Sequence, residues 1–277
     1  MNYKSGVIEV ARDVYAWINK NCATNSGFIV GEEGVIVIDT LMTPTLAGSL
    51  RNVVRDVTSK PIRYVINTHF HGDHVYGNQY FLPAPIIGHE NCRFDLDTKW
   101  ESNFGRYWAR EALRPELSRI RKTLPDVTFK DHMSLWFGNR EIQLSYHGRA
   151  HSNSDILLYL PDDKVLFVGD LAVNKTIPAF PDGHISNWIQ VLEQVKNIDA
   201  DTIVPGHGPV GGRSEFNEAR DLLILLDDQI REAFDAGISE DTAPSRIDVR
   251  SFSTFANQDR IPQIIEMAYK AYRGELE

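Results

Sequence analysis

Residues 68–74 read Thr-His-Phe-His-Gly-Asp-His, and no other stretch constrains the fold of this chain as strongly. His69, His71, Asp73 and His74 put four potential metal ligands within six residues. The β-branched run at 62–66, entered through Pro61, reads as a strand, so the cluster lies on the loop that leaves it. On an extended segment alternate side chains point the same way, which places His69 and His71 together. Gly72 then permits a turn at no steric cost, and Asp73 and His74 follow as the chain enters the next element. One loop can thus offer two ligands to one ion and two to its neighbour. The competing reading, a surface histidine run with adventitious metal affinity, is disfavoured by the apolar strand that anchors the loop.

Three further residues extend the set. His151 lies in Gly-Arg-Ala-His-Ser at 148–152, Asp170 ends Phe-Val-Gly-Asp at 167–170, and His207 lies in Val-Pro-Gly-His-Gly at 204–208. Each follows a strand pattern, in a small-residue loop from which a side chain can project into a shared cleft. Strands are expected at 6–10, 14–18, 27–30, 34–39, 134–137, 141–147, 156–160, 165–168 and 202–204, with a two-residue Gly-Asn turn at 138–139. Helices are expected at 44–57, 186–198, 215–236 and 262–273. Thr43 is the expected cap of the first, and Pro44 falls where its missing N–H has no consequence. Strands and a helix followed by strands and a helix suggest two similar halves, sheets inside and helices outside. The segment 90–124, rich in Arg, Lys, Trp and Phe, reads as a helical insertion broken near Gly105 and Pro115 and bordering the cleft.

The net charge of −9 argues against a general nucleic-acid binder. The basic stretch at 106–122 is interleaved with Glu111 and Glu116 and reads as a solvated helix face. The longest apolar run, 222–226, is far short of a membrane span. The opening MNYKSGVIEVARD contains no apolar core of a signal peptide, and two cysteines, Cys22 and Cys92, make no disulfide framework, so the expected location is cytoplasmic. The expected partner is a small-molecule substrate, with no nucleic acid and no membrane, and the chain is expected as monomer or homodimer. Residues 206–211 match GxGxxG, but Pro209 removes a donor where a pyrophosphate needs one, and His207 serves better as a ligand.

The order HxHxDH, His, Asp, His resembles the metallo-β-lactamase-fold hydrolase superfamily over nearly the whole chain. The segment 148–170 looks like the quinoprotein-relay-type and class B1 lactamase-like branches. Aspartate at 170, where class B1 lactamases carry a cysteine ligand, looks instead like the glyoxalase II and lactonase type of dinuclear site. The resemblance implies an α+β fold, a four-layer αβ/βα sandwich. It forms one domain over 1–277 with the helical insertion at 90–124 and a helical C-terminal extension at 213–277. It also implies two Zn²⁺ ions, although iron or manganese suits the same ligands. One ion would take His69, His71 and His151, the other Asp73, His74 and His207, with Asp170 bridging and Asp39 supporting from behind.

The implied activity is that of a dinuclear zinc hydrolase. A metal-bridging hydroxide would attack an ester, thioester, lactone or amide, and Asp73 would orient it as the catalytic carboxylate. The alternatives are an iron oxygenase or oxidoreductase on the same fold, or a lactamase-like enzyme with weak β-lactam hydrolysis. Asn174, Lys175 and His184 are candidate substrate contacts after the Asp170 strand, and Trp100, Phe104, Tyr107 and Trp108 are candidates from the insertion. His184 serves equally well as a helix start, and the insertion aromatics as packing. Arg246, Arg250 and Arg260 are spread through a polar tail and do not form the basic cluster expected of a glyoxalase II.

Overall fold

The computed structural model describes residues 6–18 and 24–276. The first sheet contains β1 (Val7–Ala11), β2 (Val14–Trp17), β3 (Ser26–Val30), β4 (Val35–Ile38), β5 (Ile62–Ile66), β6 (Ile86–His89) and β7 (Val127–Phe129), side by side in chain order. Pairing is antiparallel up to β4 and parallel from β4 to β7. The second sheet contains β8 (His132–Phe137), β9 (Arg140–Tyr146), β10 (Ile156–Leu160), β11 (Val165–Gly169) and β12 (Thr202–Pro205), antiparallel except for the β11–β12 pair. The helices are α1 (Pro44–Val57), α2 (Gly72–Val75), α3 (Glu90–Thr98), α4 (Trp100–Trp108), α5 (Arg114–Leu117), α6 (Ile185–Val195), α7 (Arg213–Asp235) and α8 (Ile261–Tyr272).

Burial on both faces explains why β4 is apolar throughout. Ile36 and Ile38 point inward with Ile66 against Ile142, Leu144, Leu158 and Phe167 of the second sheet. Val35 and Val37 point outward, onto Leu50 and Val53 of α1. On the far side, Leu157, Leu166 and Val168 pack beneath Trp188, Leu192, Leu222, Leu226 and Ile265 of α6, α7 and α8. The result is the expected α+β arrangement of four layers, helix, sheet, sheet, helix. Thr43 caps α1 by accepting from the Leu46 amide at 3.2 Å. The 138–139 turn joins Phe137 to its partner Arg140, with Gly138 at φ +65°, a conformation open to glycine without strain.

The differences from the sequence reading are local. Strands β6 and β7, both short, flank the insertion and extend the parallel part of the first sheet, so 90–124 is embedded between paired strands. The insertion breaks at Lys99; Gly105 lies inside α4, and Pro115 sits in the first turn of α5, where proline is tolerated. His89 is buried and caps α3 by accepting from the Asn91 amide. Cys92 is buried with its thiol pushed up by burial, an inert environment. Cys22 lies outside the described residues. Among the described residues no helix is long and apolar enough to cross a membrane.

Candidate metal centre

The parallel strands β4, β5, β11 and β12 end on one edge of the sandwich, where crevices form at strand carboxyl ends. Register fixes the ends relative to one another. Ile38 pairs with Ile66 in the first sheet, and Gly169 pairs with Pro205 in the second. The Ile156 amide donates to the Thr68 carbonyl at 2.9 Å, which ties the loop after β5 to the start of β10 in the other sheet. Gly206 lets this edge close, because a Cβ there would lie 2.0 Å from Asp170 Oδ1. This glycine of the GxGxxG match therefore serves the carboxylate.

All seven predicted ligands converge. Three groups bring one ligand atom per residue within 4.8 Å of one another: His69, His71 and His151; His69, His74 and Asp170; and Asp73, His74 and His207. Asp170 lies between, its Oδ1 3.4 Å from His74 Nε2 and its Oδ2 3.3 Å from His151 Nε2 and 3.1 Å from His207 Nε2. Asp73 Oδ2 is 3.4 Å from His207 Nε2 and 3.7 Å from His74 Nε2. Two atoms each about 2.0–2.2 Å from one ion at a tetrahedral angle lie roughly 3.3–3.6 Å apart, so these spacings suit a metal. The polar accounting agrees. His69 Nε2, His74 Nε2 and Asp170 Oδ1 are buried with no hydrogen-bond partner, where buried polar atoms are ordinarily paired. Lone pairs gathered in this way fit cations. His151 Nδ1 is also buried and unpartnered.

The second ring nitrogens of His69, His71 and His74 are fixed by neighbours, as ligand orientation requires. Asp39 accepts from the Thr68 amide at 2.8 Å, from the Thr68 hydroxyl at 2.7 Å and from His74 Nδ1 at 2.7 Å. It sits at φ +58°, directly after β4. His71 Nε2 meets Asp182 Oδ2 at 3.0 Å, and Lys99 and Arg106 approach the same carboxylate at 3.9 and 3.7 Å. His69 Nδ1 lies 3.1 Å from the Thr68 hydroxyl. Asp73 receives the Thr24 hydroxyl at 2.8 Å on Oδ2 and the Tyr107 hydroxyl at 2.9 Å on Oδ1. Ser152 donates its amide and hydroxyl to Asp155 at 2.6 and 2.9 Å, which shapes the His151 loop.

The electrostatics divide the histidines. Burial, reinforced by His74, holds His69 well below its ordinary value, and burial pushes His151 down to about 3 against the pull of Asp170. Burial also acts to lower His74, but Asp170, Asp73 and Asp39 outweigh it and raise the ring to about 9. His207 rises well above its ordinary value because Asp170 and Asp73 overcome burial. Burial opposes ionisation of Asp73 and Asp170, yet the facing histidines hold both well below the usual carboxylate range. Without metal, the His74, His207, Asp73 and Asp170 side is therefore a charged network, and His69 and His151 are neutral.

A cleft of about 300 Å³ opens onto His71, Asp73, His151, Asp170 and His207. The candidate substrate contacts Asn174, Lys175 and His184 do not line it. Asn174 is buried and donates to the Pro209 carbonyl, Lys175 pairs with Glu218, and His184 caps α6 by accepting from the Asn187 amide. Of the insertion aromatics only Tyr107 faces the cleft; Trp100 and Phe104 pack on Tyr76, and Trp108 stacks on Phe104. The walls also include Thr24, Arg110 and Arg260, which sequence reasoning did not place there, and Asp182 was missed beside His184. No local pattern marks them, since each is brought in by tertiary packing from a separate loop.

The metallo-beta-lactamase superfamily model matches residues 19–207, which contain all seven candidate ligands. The linear primary-alkylsulfatase of a Pseudomonas species is 24% identical over 260 residues, covering 79% of this chain and 49% of the relative, so the chain spans about half that protein's length. The type 2 metallo-beta-lactamase of Bacillus cereus is 25% identical, covering 79% of this chain and 84% of the relative. A stereoselective inverting sec-alkylsulfatase from Pseudomonas shares the fold over 97% of this chain and 50% of its own, with TM-score 0.77 at 17% identity. The chain belongs to the metallo-beta-lactamase superfamily.

Proposed function

We propose that the chain is a dinuclear zinc hydrolase of a small-molecule ester, thioester, lactone or amide. The observation that carries this reading is Asp170, whose carboxylate faces His151 of one ligand group and both His74 and His207 of the other. His69, His71 and His151 would hold one ion, Asp73, His74 and His207 the other, with Asp170 serving both. When bound, zinc supplies a water acidified to a pKa of about 7 and Lewis acidity toward a substrate oxygen. Asp73, fixed by Thr24 and Tyr107, orients the attacking water and can take its proton at the lone pairs those donors leave free. Asp39, Thr68 and Asp182 keep three rings in place, so that little reorganisation accompanies reaction.

The similarity to the linear primary-alkylsulfatase favours a second reading, in which the scissile bond belongs to a sulfate ester. The test is turnover of chromogenic lactone, thioester, carboxylate-ester, sulfate-ester and cephalosporin substrates by protein loaded with zinc, and separately with iron. Hydrolysis of an acyl substrate by the zinc form supports the first reading, and sulfate-ester turnover alone supports the second. Oxygen uptake by the iron form, with no hydrolysis by either, contradicts both.

A further inference from the structure

We propose that Arg110 and Arg260 form an anion-binding subsite of the cleft, so that the substrate is an amphiphilic oxyanion, a carboxylate or sulfate carried on an apolar chain. This deepens the hydrolase reading and rests on it for the reaction, though not for the binding. The two arginines come from separate parts of the chain, Arg110 just after α4 of the insertion and Arg260 immediately before α8, yet they line the same cavity as the ligand set. Among the described residues neither has a carboxylate partner, although acids outnumber bases 38 to 29 in the chain. Lys99 and Arg106, by contrast, both approach the Asp182 carboxylate.

Each arginine is nevertheless positioned. The Arg110 guanidinium lies 5.5 Å from the centre of the Tyr107 ring, the residue that donates to Asp73. Arg260 Nη1 donates to the Ile177 carbonyl at 2.8 Å, which uses one of its five N–H donors. Guanidinium donors held in this way match the planar oxygens of a carboxylate or the oxygens of a sulfate. Away from the ligand set the wall carries Leu41, Met42, Leu46, Leu113 and Pro181, beside the hydroxyls of Thr24 and Thr43. Two cations without an ion-pair partner at the wall of the cleft draw an anion toward a centre that the −9 net charge would otherwise repel.

The experiment compares p-nitrophenyl octanoate with mono-p-nitrophenyl suberate, which differ by a terminal carboxylate, and adds octyl sulfate as the sulfate arm. Full-length, zinc-loaded wild type, Arg110→Gln, Arg260→Gln, the double variant and the exposed control Arg246→Gln are assayed. The ratio of kcat/KM for the anionic over the neutral ester should exceed one in the wild type. It should fall on the order of 10-fold in either single variant and about 100-fold in the double variant, with Arg246→Gln like the wild type. A ratio near one in the wild type, or one preserved in the double variant, overturns the subsite. If no substrate is hydrolysed the hydrolase reading fails, and calorimetry decides the subsite alone. Octanoate or octyl sulfate should then bind the wild type at least about 10-fold more tightly than the double variant, and whichever binds more tightly identifies the anion. Equal binding of both to both proteins overturns it.

Discussion

The Tyr107 hydroxyl donates to Asp73 Oδ1 over 2.9 Å, and this bond carries the insertion into the metal centre. Asp73→Ala should therefore lose much more than a ligand. His74, His207 and Asp170 remain to hold the ion, and excess zinc can restore occupancy by mass action. Turnover should still fall by on the order of 100-fold or more, because the nucleophile loses its orienting carboxylate and proton acceptor. Tyr107→Phe keeps the ring packed on Tyr76 and removes only the donor, so kcat should fall roughly 10-fold at unchanged zinc content. The check is turnover and metal content measured in parallel. Near wild-type turnover by fully loaded Asp73→Ala protein would remove Asp73 from the mechanism.

Asp39 satisfies three buried donors, two from Thr68 and one from His74. Asp39→Ala leaves the Thr68 amide and the His74 ring without their acceptor, at about 1–3 kcal/mol for each orphaned group. We expect a fall in unfolding free energy of about 2–6 kcal/mol, together with weaker zinc binding at the His74 side. Chemical unfolding in zinc-free buffer and zinc titration read these two effects separately. A variant with wild-type stability would show that water replaces the carboxylate.

The sequence pointed to the residues that converge at the centre and to the apolar pattern of its core, and to much less of the cleft. HxHxDH, His151, Asp170 and His207 were legible because each follows a strand and strand register does the rest. The α1 cap and the 138–139 turn were legible because Thr43-Pro44 and Gly138-Asn139 act locally. Asp182 was not, since a carboxylate that orients His71 from 111 residues away has no local signature. Arg110 and Arg260 reach the cleft only through the packing of α4 and α8, and the same packing turns Lys175 outward to Glu218. The β6 and β7 strands escaped notice because four- and three-residue segments gain their identity from parallel neighbours.

Asp155, which holds the His151 loop through Ser152, provides a pH test at a residue outside the ligand set. Burial pushes its carboxyl up to about 6, from an ordinary 3.8, despite the Ser152 donors. Between those values the native chain keeps a proton that the unfolded chain releases, so this contribution to stability is full below pH 3.8 and lost as pH rises through about 6. Asp155→Asn removes the titration. Relative to wild type, its unfolding free energy in zinc-free buffer should improve by on the order of 3 kcal/mol between pH 4 and pH 7. A difference independent of pH would contradict the burial argument.

Proton release should distinguish the two halves of the centre. In metal-free protein at pH 7.5 His74, raised to about 9, and His207, raised well above its ordinary value, carry protons, whereas His69 and His151 do not. Ligand nitrogens must be neutral. Zinc binding on the Asp73, His74 and His207 side should release about two protons, whereas His69 and His151 have no imidazolium proton to release. Calorimetric zinc titration in buffers of different ionisation enthalpy gives the count, and equal release in both phases would contradict the assignment.

The most direct test is the zinc content of the full chain, dialysed to saturation and freed of excess metal. Two zinc ions per chain are predicted, with Asp170→Ala retaining at most one because its carboxylate serves both ligand groups. A saturated wild-type stoichiometry of one, or an Asp170→Ala protein that still holds two, would contradict the dinuclear centre.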